Sequence, residues 1–205
     1  MTRISALLDQ FPIISDQIKR PALEVLLTNL EKTLGSQVEG AIVEFGCYIG
    51  TTSLFIRRLL DIYQSDKAFH VYDSFAGLPD KSQQDSSPAG DEFKGGELSV
   101  SKKQFSEQFH KAHLQTPKVH KGWFGELTSD DIPQNIAFAF LDGDFYQSII
   151  DSLRLVYPRM RPGGIIAIDD YGREKLPGVE RAVRDYFQGK QYNVRVAHNI
   201  GVIQL

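Results

Sequence analysis

The chain has 205 residues, of which 41% are hydrophobic and 24% are charged. This composition is typical of a single globular domain and excludes a collagen-like, disordered or disulfide-scaffold chain. No apolar run reaches the roughly 18–20 residues of a membrane span, and a net charge of −3 offers no basic surface for nucleic acid. We therefore expect a small-molecule partner, no nucleic acid and no membrane. One cysteine, Cys47, and an N-terminus without a secretory pattern predict a cytoplasmic protein.

The first 36 residues predict a helical segment that packs on the core. Pro12 shortens or kinks the first helix, and Pro21 and Gly35 suit the start and end of a second helix. Leucines at i, i+3, i+4, i+7 and i+11 share one face of that second helix: Leu23, Leu26, Leu27, Leu30 and Leu34. Residues 37–205 form the second predicted unit, in which the pattern changes.

Residues 37–205 contain five short apolar runs, each followed by a polar turn. The runs lie in GAIVEFG, AFHVYDSF, KVHKGWF, NIAFAFLDGD and PGGIIAIDDY, and amphipathic helices are predicted after several of them. Because the runs are continuously apolar, both faces of each strand should be covered, as in a parallel sheet. The final runs, YNVRVAH and GVIQL, are so close that they must form an antiparallel hairpin. The predicted fold class is therefore α/β: a doubly wound sheet of five parallel strands plus a C-terminal antiparallel hairpin, with helices on both faces.

Residues 77–100 interrupt this alternation. The segment GLPDKSQQDSSPAGDEFKGGELSV is rich in Gly, Ser, Pro, Asp and Lys and has no hydrophobic periodicity. It directly follows the second strand, so it lies at the sheet edge where ligands of parallel α/β proteins bind. A loop of this length is either functional or disordered. We interpret it as a lid over the ligand or as a mobile surface insertion.

A glycine-containing turn follows the first strand. Gly46, Tyr48 and Gly50 lead into a helix that begins near Thr51, and free backbone N–H groups there favour an anionic group of a ligand. A tight strand-to-helix turn without a ligand is the alternative, since the spacing is not the dinucleotide-binding pattern. Asp73, at the end of the second strand, is suited to accept both hydroxyls of a ribose or to act as a cap.

Acidic residues follow the fourth and fifth strands. If these strands are neighbours, Asp142, Asp169 and Asp170 converge, and three carboxylates so close together repel one another unless a cation binds. Oxygen-only ligands suit Mg²⁺ first and Mn²⁺ or Ca²⁺ next. Helix capping is the alternative, and it accounts for one acid, Asp144 before the helix near Tyr146, better than for three. The spacing therefore favours a metal site.

Aromatic rings and histidines give weaker signals. Trp123 and Phe124 follow the third strand, where they could flank a purine or belong to the core. His70 and His198 lie at strand ends and are expected to be structural.

Five consecutive stretches of the chain resemble one known family, the macrocin O-methyltransferases (TylF/MycF type). The similar stretches are VEFGCYIGTTS, VYDSFAGLP, KGWF, AFLDGDFYQSIIDSLRLVYPRMRPGGIIAIDDY and GVERAVRDYF. These proteins are class I S-adenosylmethionine-dependent enzymes, many of which methylate sugar hydroxyls of macrolides and related natural products. The resemblance covers Val43 to Phe187, and its most specific parts are DSFAGLP, LDGDFYQS and PGG followed by IDDY.

The resemblance implies a Rossmann-like, seven-stranded fold and methyl transfer from S-adenosylmethionine to a hydroxyl of a small molecule, such as a sugar of a glycosylated natural product. It implies a catalytic Mg²⁺ or Mn²⁺ held by Asp142, Asp169 and Asp170, with Asp142 also the general base. It favours a homodimer. The cofactor-binding residues that it implies are Glu44, Gly46, Tyr48, Gly50, Thr51, Asp73, Ser74, Trp123 and Phe124.

Other functions remain open at this point. A catechol or another phenol presents two oxygens much as a sugar diol does, so a phenol O-methyltransferase is the first alternative. A nucleotide-binding module without catalysis is the second, and the three acids argue against it because such a module has no use for mutually repelling carboxylates. A nicotinamide-dependent dehydrogenase is disfavoured by the glycine spacing.

Overall fold

The computed structural model describes residues 2–205 and contains six α-helices and seven β-strands in that range. The helices are α1 (Arg3–Gln10), α2 (Arg20–Gly35), α3 (Thr51–Ile62), α4 (Lys102–Lys111), α5 (Tyr146–Val156) and α6 (Pro177–Tyr186). The strands are β1 (Ala41–Phe45), β2 (Phe69–Asp73), β3 (Lys118–Lys121), β4 (Ile136–Leu141), β5 (Met160–Ile168), β6 (Arg195–Ala197) and β7 (Ile200–Gln204). Within residues 2–205, none of the helices combines the length and the hydrophobicity needed to cross a membrane.

The seven strands form one sheet in the order β3-β2-β1-β4-β5-β7-β6. Strands β1 to β5 run parallel, and β7 pairs antiparallel with both β5 and β6, so the predicted fold class is confirmed. The strands β3 and β6 are shorter than their sequence runs, as is common for strands at the two edges of a sheet. The strand order reverses between β1 and β4, and a crevice for ligands opens at such a reversal.

The core lies on both faces of the sheet because successive residues of a strand point to opposite sides. In β4, Phe138 and Phe140 pack with helices α1 to α4, whereas Ala139 and Leu141 pack with α5 and α6. All six residues of β4 are buried, as expected of a central strand that helices cover on both sides. This burial fixes the carboxyl ends of β1 and β4 in place.

The N-terminal helices belong to the first of these two faces. Helix α2 has Pro21 in its first turn, where proline is tolerated, and its leucine face is buried in the core. The link between α1 and α2 passes the start of α3, where Ser15 Oγ and Thr51 Oγ1 are 2.8 Å apart. The N-terminal segment thus reaches the edge of the sheet at which β1 ends.

Residues 77–100 follow a path that is held by hydrogen bonds at both ends and in the middle. The N–H of Leu78 donates to the Glu97 carbonyl (2.9 Å), and the N–H of Gly96 donates to the Leu78 carbonyl (2.8 Å). Between these ends, Arg181 of α6 donates to the Gln84 carbonyl at 2.6 Å. The segment is therefore packed against α6, beside the carboxyl ends of the parallel strands.

Candidate active site

A cleft of about 600 Å³ opens at the carboxyl ends of the parallel strands. Its walls come from the loop 46–48, the N-terminal link, the segment 77–100 and the turn between β6 and β7. A smaller pocket of about 60 Å³ adjoins it and shares Gly46, Asp73 and Asp142 with it. This position agrees with the rule that ligands of open α/β sheets bind where the strand order reverses.

Asp73 holds the loop that follows β1. Its Oδ2 accepts hydrogen bonds from the backbone N–H groups of Cys47 (2.8 Å) and Tyr48 (3.3 Å), and its Oδ1 accepts one from Phe75 (2.7 Å). Gly46 has a φ of 87°, and a Cβ at this position would overlap the carbonyl oxygen of Asp142. Only glycine therefore allows β1 and β4 to approach so closely here. The structure brings three of the predicted cofactor residues, Gly46, Tyr48 and Asp73, to the wall of the cleft.

Glu44 lies beneath this loop and does not line the cleft. It is fully buried in β1, and its carboxylate oxygens accept hydrogen bonds from the hydroxyls of Thr52 and Ser53 in α3. Burial raises the pKa of Glu44 to about 7, although the hydrogen bonds from Ser53 and Thr52 oppose this rise. Glu44 thus ties the first turn of α3 to β1, and its predicted contact with the cofactor stays a prediction.

Gly50 and Thr51 also lie outside the set of residues that line the cleft. Gly50 has a φ of 96°, and a Cβ there would be only 3.0 Å from the ring of Phe105. Thr51 is buried, and its hydroxyl pairs with that of Ser15. The cofactor contacts predicted at both positions stay predictions; in this structure Gly50 shapes the turn and Thr51 anchors the N-terminal link.

Ser74, Trp123 and Phe124 line the smaller pocket. Ser74 Oγ donates a hydrogen bond to the Gly77 carbonyl (3.0 Å), which fixes the start of the segment 77–100. Phe124 packs edge-on against Phe45 with 5.1 Å between ring centroids, and Trp123 is 37% exposed. A narrow slot bounded by aromatic rings beside Asp73 is chemically suited to a purine next to its ribose.

Carboxylates from the ends of β4 and β5 meet in the cleft. One oxygen each of Asp142, Asp144 and Asp170 lies within 4.8 Å of the other two. Asp144 and Asp170 have left-handed φ values of 58° and 55°, a conformation that Asp tolerates better than most residues and that occurs often at functional sites. Asp169 lies beside them, and its Oδ1 accepts the N–H of Asp170 at 2.9 Å. The structure thus gathers the three predicted ligands in one cleft, but the tightest trio contains Asp144 in place of Asp169.

Burial raises the pKa of all four carboxyl groups in this cluster. The pKa of Asp169 is raised to about 8, first by burial and then by the charge of Asp170. Burial and the charges of its neighbours hold the pKa of Asp142 well above its usual range. A divalent cation would relieve this repulsion, and oxygen ligands without His or Cys match the preference of Mg²⁺. The residues present therefore fit a hard divalent cation.

The prediction that Asp144 caps α5 is wrong. The residue before the helix is Phe145, and no side chain at that position caps it. The N–H of Tyr146 instead donates to Oδ1 of Asp85, in the segment 77–100, at 2.7 Å. From the sequence, Asp144 was the candidate cap because it lies next to the helix. The contact between Asp85 and Tyr146 joins distant parts of the chain and leaves no local sequence pattern. Asp144 is consequently free to join the acidic cluster.

Arg173 joins this cluster to the segment 77–100. Its Nη1 is 2.6 Å from Oδ1 of Asp170, and its Nη2 pairs with the carboxylate of Glu92. Sequence patterns predicted a functional role for neither Arg173 nor Glu92. Glu92 lies in a stretch without periodicity and Arg173 lies in a turn after the acidic pair, so no spacing pattern marks them.

His198 lines the cleft, which differs from its predicted structural role. His198 and Asn199 form the two-residue turn between β6 and β7 with φ values of 50° and 64°, and this turn closes one side of the cleft. His70 is different, because its Nδ1 lies 3.0 Å from Nε2 of His120 on the neighbouring strand β3 and it lines neither pocket.

The sheet order with its reversed last pair, the glycine turn after β1 and the acid at the end of β2 define a protein of the class I methyltransferase type. The sequence profile of the family described as macrocin-O-methyltransferase (TylF) matches residues 11–201. The chain belongs to this family, as its motifs predicted.

Curated relatives and solved structures agree with this assignment. The chain is 33% identical over 165 residues to 8-demethyl-8-(2,3-dimethoxy-alpha-L-rhamnosyl)-tetracenomycin-C 4'-O-methyltransferase of Streptomyces olivaceus. The alignment covers 77% of this chain and 61% of that relative. It is 31% identical over 166 residues to mycinamicin III 3''-O-methyltransferase of Micromonospora griseorubida. This alignment covers 77% of this chain and 64% of that relative. The solved structure of the O-methyltransferase NovP superimposes with a TM-score of 0.76 at 25% identity, over 89% of this chain and 78% of that one. The chain thus spans less than two thirds of the length of these two curated relatives.

Proposed function

We propose that the protein is a Mg²⁺-dependent O-methyltransferase that uses S-adenosylmethionine as methyl donor. The acceptor is a hydroxyl on the sugar of a small, glycosylated natural product. The observation that carries the proposal is the cluster of Asp142, Asp144 and Asp170, whose oxygens lie within 4.8 Å of one another in the cleft. The cluster directly adjoins the pocket of Trp123 and Phe124. The family and the names of the curated relatives, both O-methyltransferases, support the reaction, and the rhamnosyl group in the name of the Streptomyces olivaceus relative supports the acceptor class.

The methyl donor would occupy the smaller pocket and the adjoining part of the cleft. Asp73 is placed to accept a ribose hydroxyl, since its Oδ1 accepts only the N–H of Phe75 and keeps a free lone pair, whereas its Oδ2 already accepts two N–H groups. Trp123 and Phe124 would flank the adenine. The methionine part would then extend past Gly46 towards Asp142, because both residues line the two cavities.

Asp142, Asp144 and Asp170 would hold the cation, with Asp169 positioning Asp170 through its N–H. A divalent cation at this position supplies Lewis-acid chemistry that lowers the pKa of an alcohol. The acceptor oxygen attacks the methyl carbon, the bond from that carbon to sulfur breaks, and S-adenosylhomocysteine leaves. The hydroxyl proton passes to the carboxylate of Asp142, which lines both the cleft and the smaller pocket.

Protein walls around the cleft give the reaction its positional control. The segment 77–100 lines one side of the cleft and the N-terminal link lines another, so both are placed to orient two substrates between them. Such positioning is worth up to about 7–11 kcal/mol of the activation barrier in favourable cases.

Calorimetry tests the cofactor part of the proposal. S-adenosylhomocysteine titrated into the purified protein should bind both with Mg²⁺ and with EDTA, because Asp73, Trp123 and Phe124, the proposed contacts of its ribose and adenine, are not cation ligands. Absence of binding under both conditions would overturn the methyltransferase proposal.

Isosteric variants test the catalytic part. With methyl α-L-rhamnopyranoside and 3,4-dihydroxybenzoate as acceptors, Asp142→Asn should lower turnover by about 100-fold or more while S-adenosylhomocysteine binds as before. Asp130→Asn, on the exposed surface, is the matched control and should leave turnover unchanged. Preferential methylation of the dihydroxybenzoate by the wild-type protein would favour the phenol alternative over the sugar.

A further inference from the structure

Glu92 reaches the acidic cluster from a different part of the chain. It belongs to the segment 77–100, lines the cleft and keeps only 23% of its side chain exposed. Its Oε1 pairs with Nη2 of Arg173, and Nη1 of the same guanidinium is 2.6 Å from Asp170 Oδ1. One arginine therefore bridges the segment and the predicted cation ligand Asp170.

The second oxygen of Glu92 has no partner. Among residues 2–205, no group donates a hydrogen bond to Oε2, although this atom is buried. Leaving a buried, charged acceptor unsatisfied is unfavourable, and such atoms in native proteins commonly mark the place of a ligand, an ion or a water. The free oxygen of Glu92 therefore indicates that something positively polarised binds beside it.

Glu92 and Asp170 share one guanidinium. Because Arg173 pairs with both carboxylates, Glu92 lies only one side chain away from a member of the acidic cluster. Glu92 also lines the same cleft as Asp142, Asp144 and Asp170. A cation among these carboxylates would therefore be attracted to Glu92 as well.

We propose that Glu92 is an additional acidic group of the cation site, supplied by the segment 77–100, and that cation binding there holds this segment against the cleft. The inference rests on the proposed function, because it needs the cation site formed by Asp142, Asp144 and Asp170. Removing the charge of Glu92 has two effects, and both of them lower the affinity of the site for the cation. The cation loses an attractive carboxylate, and Arg173 loses one of the two carboxylates that neutralise it.

Mg²⁺ affinity gives the direct test. Mg²⁺ is titrated calorimetrically into the protein loaded with S-adenosylhomocysteine, for the wild type, Glu92→Gln and Asp91→Asn. We expect the Kd for Mg²⁺ to rise about 10–100-fold in Glu92→Gln, as for other groups that support metal ligands. Asp91→Asn removes the same charge one residue away, from a carboxylate that is 69% exposed and pairs with Lys81, and should leave the Kd unchanged.

Amide hydrogen exchange gives an independent readout of the second half of the proposal. Because coupling between two events is reciprocal, a cation that binds more tightly through Glu92 must also stabilise the segment that carries it. Mg²⁺ should therefore slow exchange at residues 86–97 in the wild type and in Asp91→Asn, but not in Glu92→Gln. A structural ion pair between Glu92 and Arg173 alone would give exchange that does not depend on Mg²⁺.

Each outcome separates this inference from the proposal on which it rests. If the wild type binds Mg²⁺ and Glu92→Gln binds it with the same Kd, the role of Glu92 is wrong and the cation site stands. If the wild type binds no Mg²⁺, the cation site itself is wrong and the inference falls with it. Unchanged binding of S-adenosylhomocysteine by Glu92→Gln shows that the variant is folded in either case.

Discussion

The carboxylate of Asp85 caps helix α5 from outside the helix, because its Oδ1 accepts the N–H of Tyr146 at 2.7 Å. Its Oδ2 accepts the N–H and the hydroxyl of Ser82 at 2.8 and 2.7 Å. A Cβ at Gly178, in the first turn of α6, would overlap Oδ1. Asp85 is therefore enclosed between two helices and is 2% exposed. This single side chain fastens the segment 77–100 to the framework that carries the acidic cluster.

Replacing Asp85 by alanine should destabilise the fold. The helix loses its cap and two donors of Ser82 lose their acceptor, so the free energy of unfolding should fall by about 1–2 kcal/mol. Urea denaturation followed by circular dichroism measures this change. Asp91→Asn, in the same segment but exposed, should unfold at the wild-type midpoint. An unchanged midpoint for Asp85→Ala would show that the cap does not contribute to stability.

The carboxyl ends of β1 and β4 depend on the glycine at position 46. Alanine there would need a left-handed conformation, at a cost of roughly 1–2 kcal/mol, and would also overlap the Asp142 carbonyl oxygen. Gly46→Ala should therefore lower the melting temperature and weaken binding of S-adenosylhomocysteine together. Gly90→Ala is the control, since Gly90 also has a positive φ, 93°, but no atom within 4 Å of an added Cβ. It should show the backbone effect alone and keep ligand affinity.

Sequence patterns predicted most of the framework but only part of the site. Continuous apolar runs predicted the parallel strands, because a strand that is buried on both faces consists mainly of apolar residues. The positions of the acids at the strand ends were then predicted from the strand assignment. Asp85, Glu92 and Arg173 show no such pattern. Asp85 contacts Tyr146 and Glu92 contacts Arg173, in each case across more than 60 positions of the sequence. Only the folded chain brings these groups together.

The sequence of the predicted cofactor loop did not show that Glu44 and Thr51 are buried. Glu44 and Thr51 lie next to cleft residues in the sequence, but they point into the core and into the N-terminal link. Neighbouring residues in a strand or turn face opposite sides, so proximity in sequence to a ligand loop does not by itself place a side chain in the cleft.

Glu44 should make stability depend on pH. Burial raises its pKa to about 7, from a usual value of 4.5, so the folded protein keeps a proton that the unfolded chain releases between these values. The contribution is fully present below pH 4.5, is lost as the pH rises through about 7, and is on the order of 3 kcal/mol. Glu44→Gln should remove this dependence, so that its free energy of unfolding relative to the wild type increases between pH 5 and pH 8.

Urea denaturation in EDTA across that pH range measures the effect of Glu44. The exposed Glu39→Gln is the control and should follow the wild-type curve at every pH. A constant difference between Glu44→Gln and the wild type at all pH values would contradict the assigned titration, whatever the size of that difference.

The charges around the cleft predict which form of a sugar acceptor is used. Seven acidic residues line it: Asp16, Asp73, Glu92, Asp142, Asp144, Asp169 and Asp170. Two basic side chains oppose them, Lys19 and Arg173, and Arg173 already pairs with Asp170 and Glu92. A diphosphate would therefore meet a net negative charge. We expect a neutral glycoside to be accepted in preference to a nucleotide-activated sugar.

Competition between two acceptors checks this preference. In the proposed reaction, methyl α-L-rhamnopyranoside should be methylated with a kcat/KM at least about 10-fold above that of dTDP-L-rhamnose, since a repulsion of 1.4 kcal/mol is enough for this factor. Raising the salt concentration should narrow the ratio, because screening acts on the diphosphate and leaves the neutral glycoside unaffected. Gln17→Lys, which adds a cation to the cleft wall, should narrow it as well. Electrostatic repulsion is strongest at low salt. An equal kcat/KM for the nucleotide sugar and the glycoside at low salt would therefore contradict the electrostatic argument.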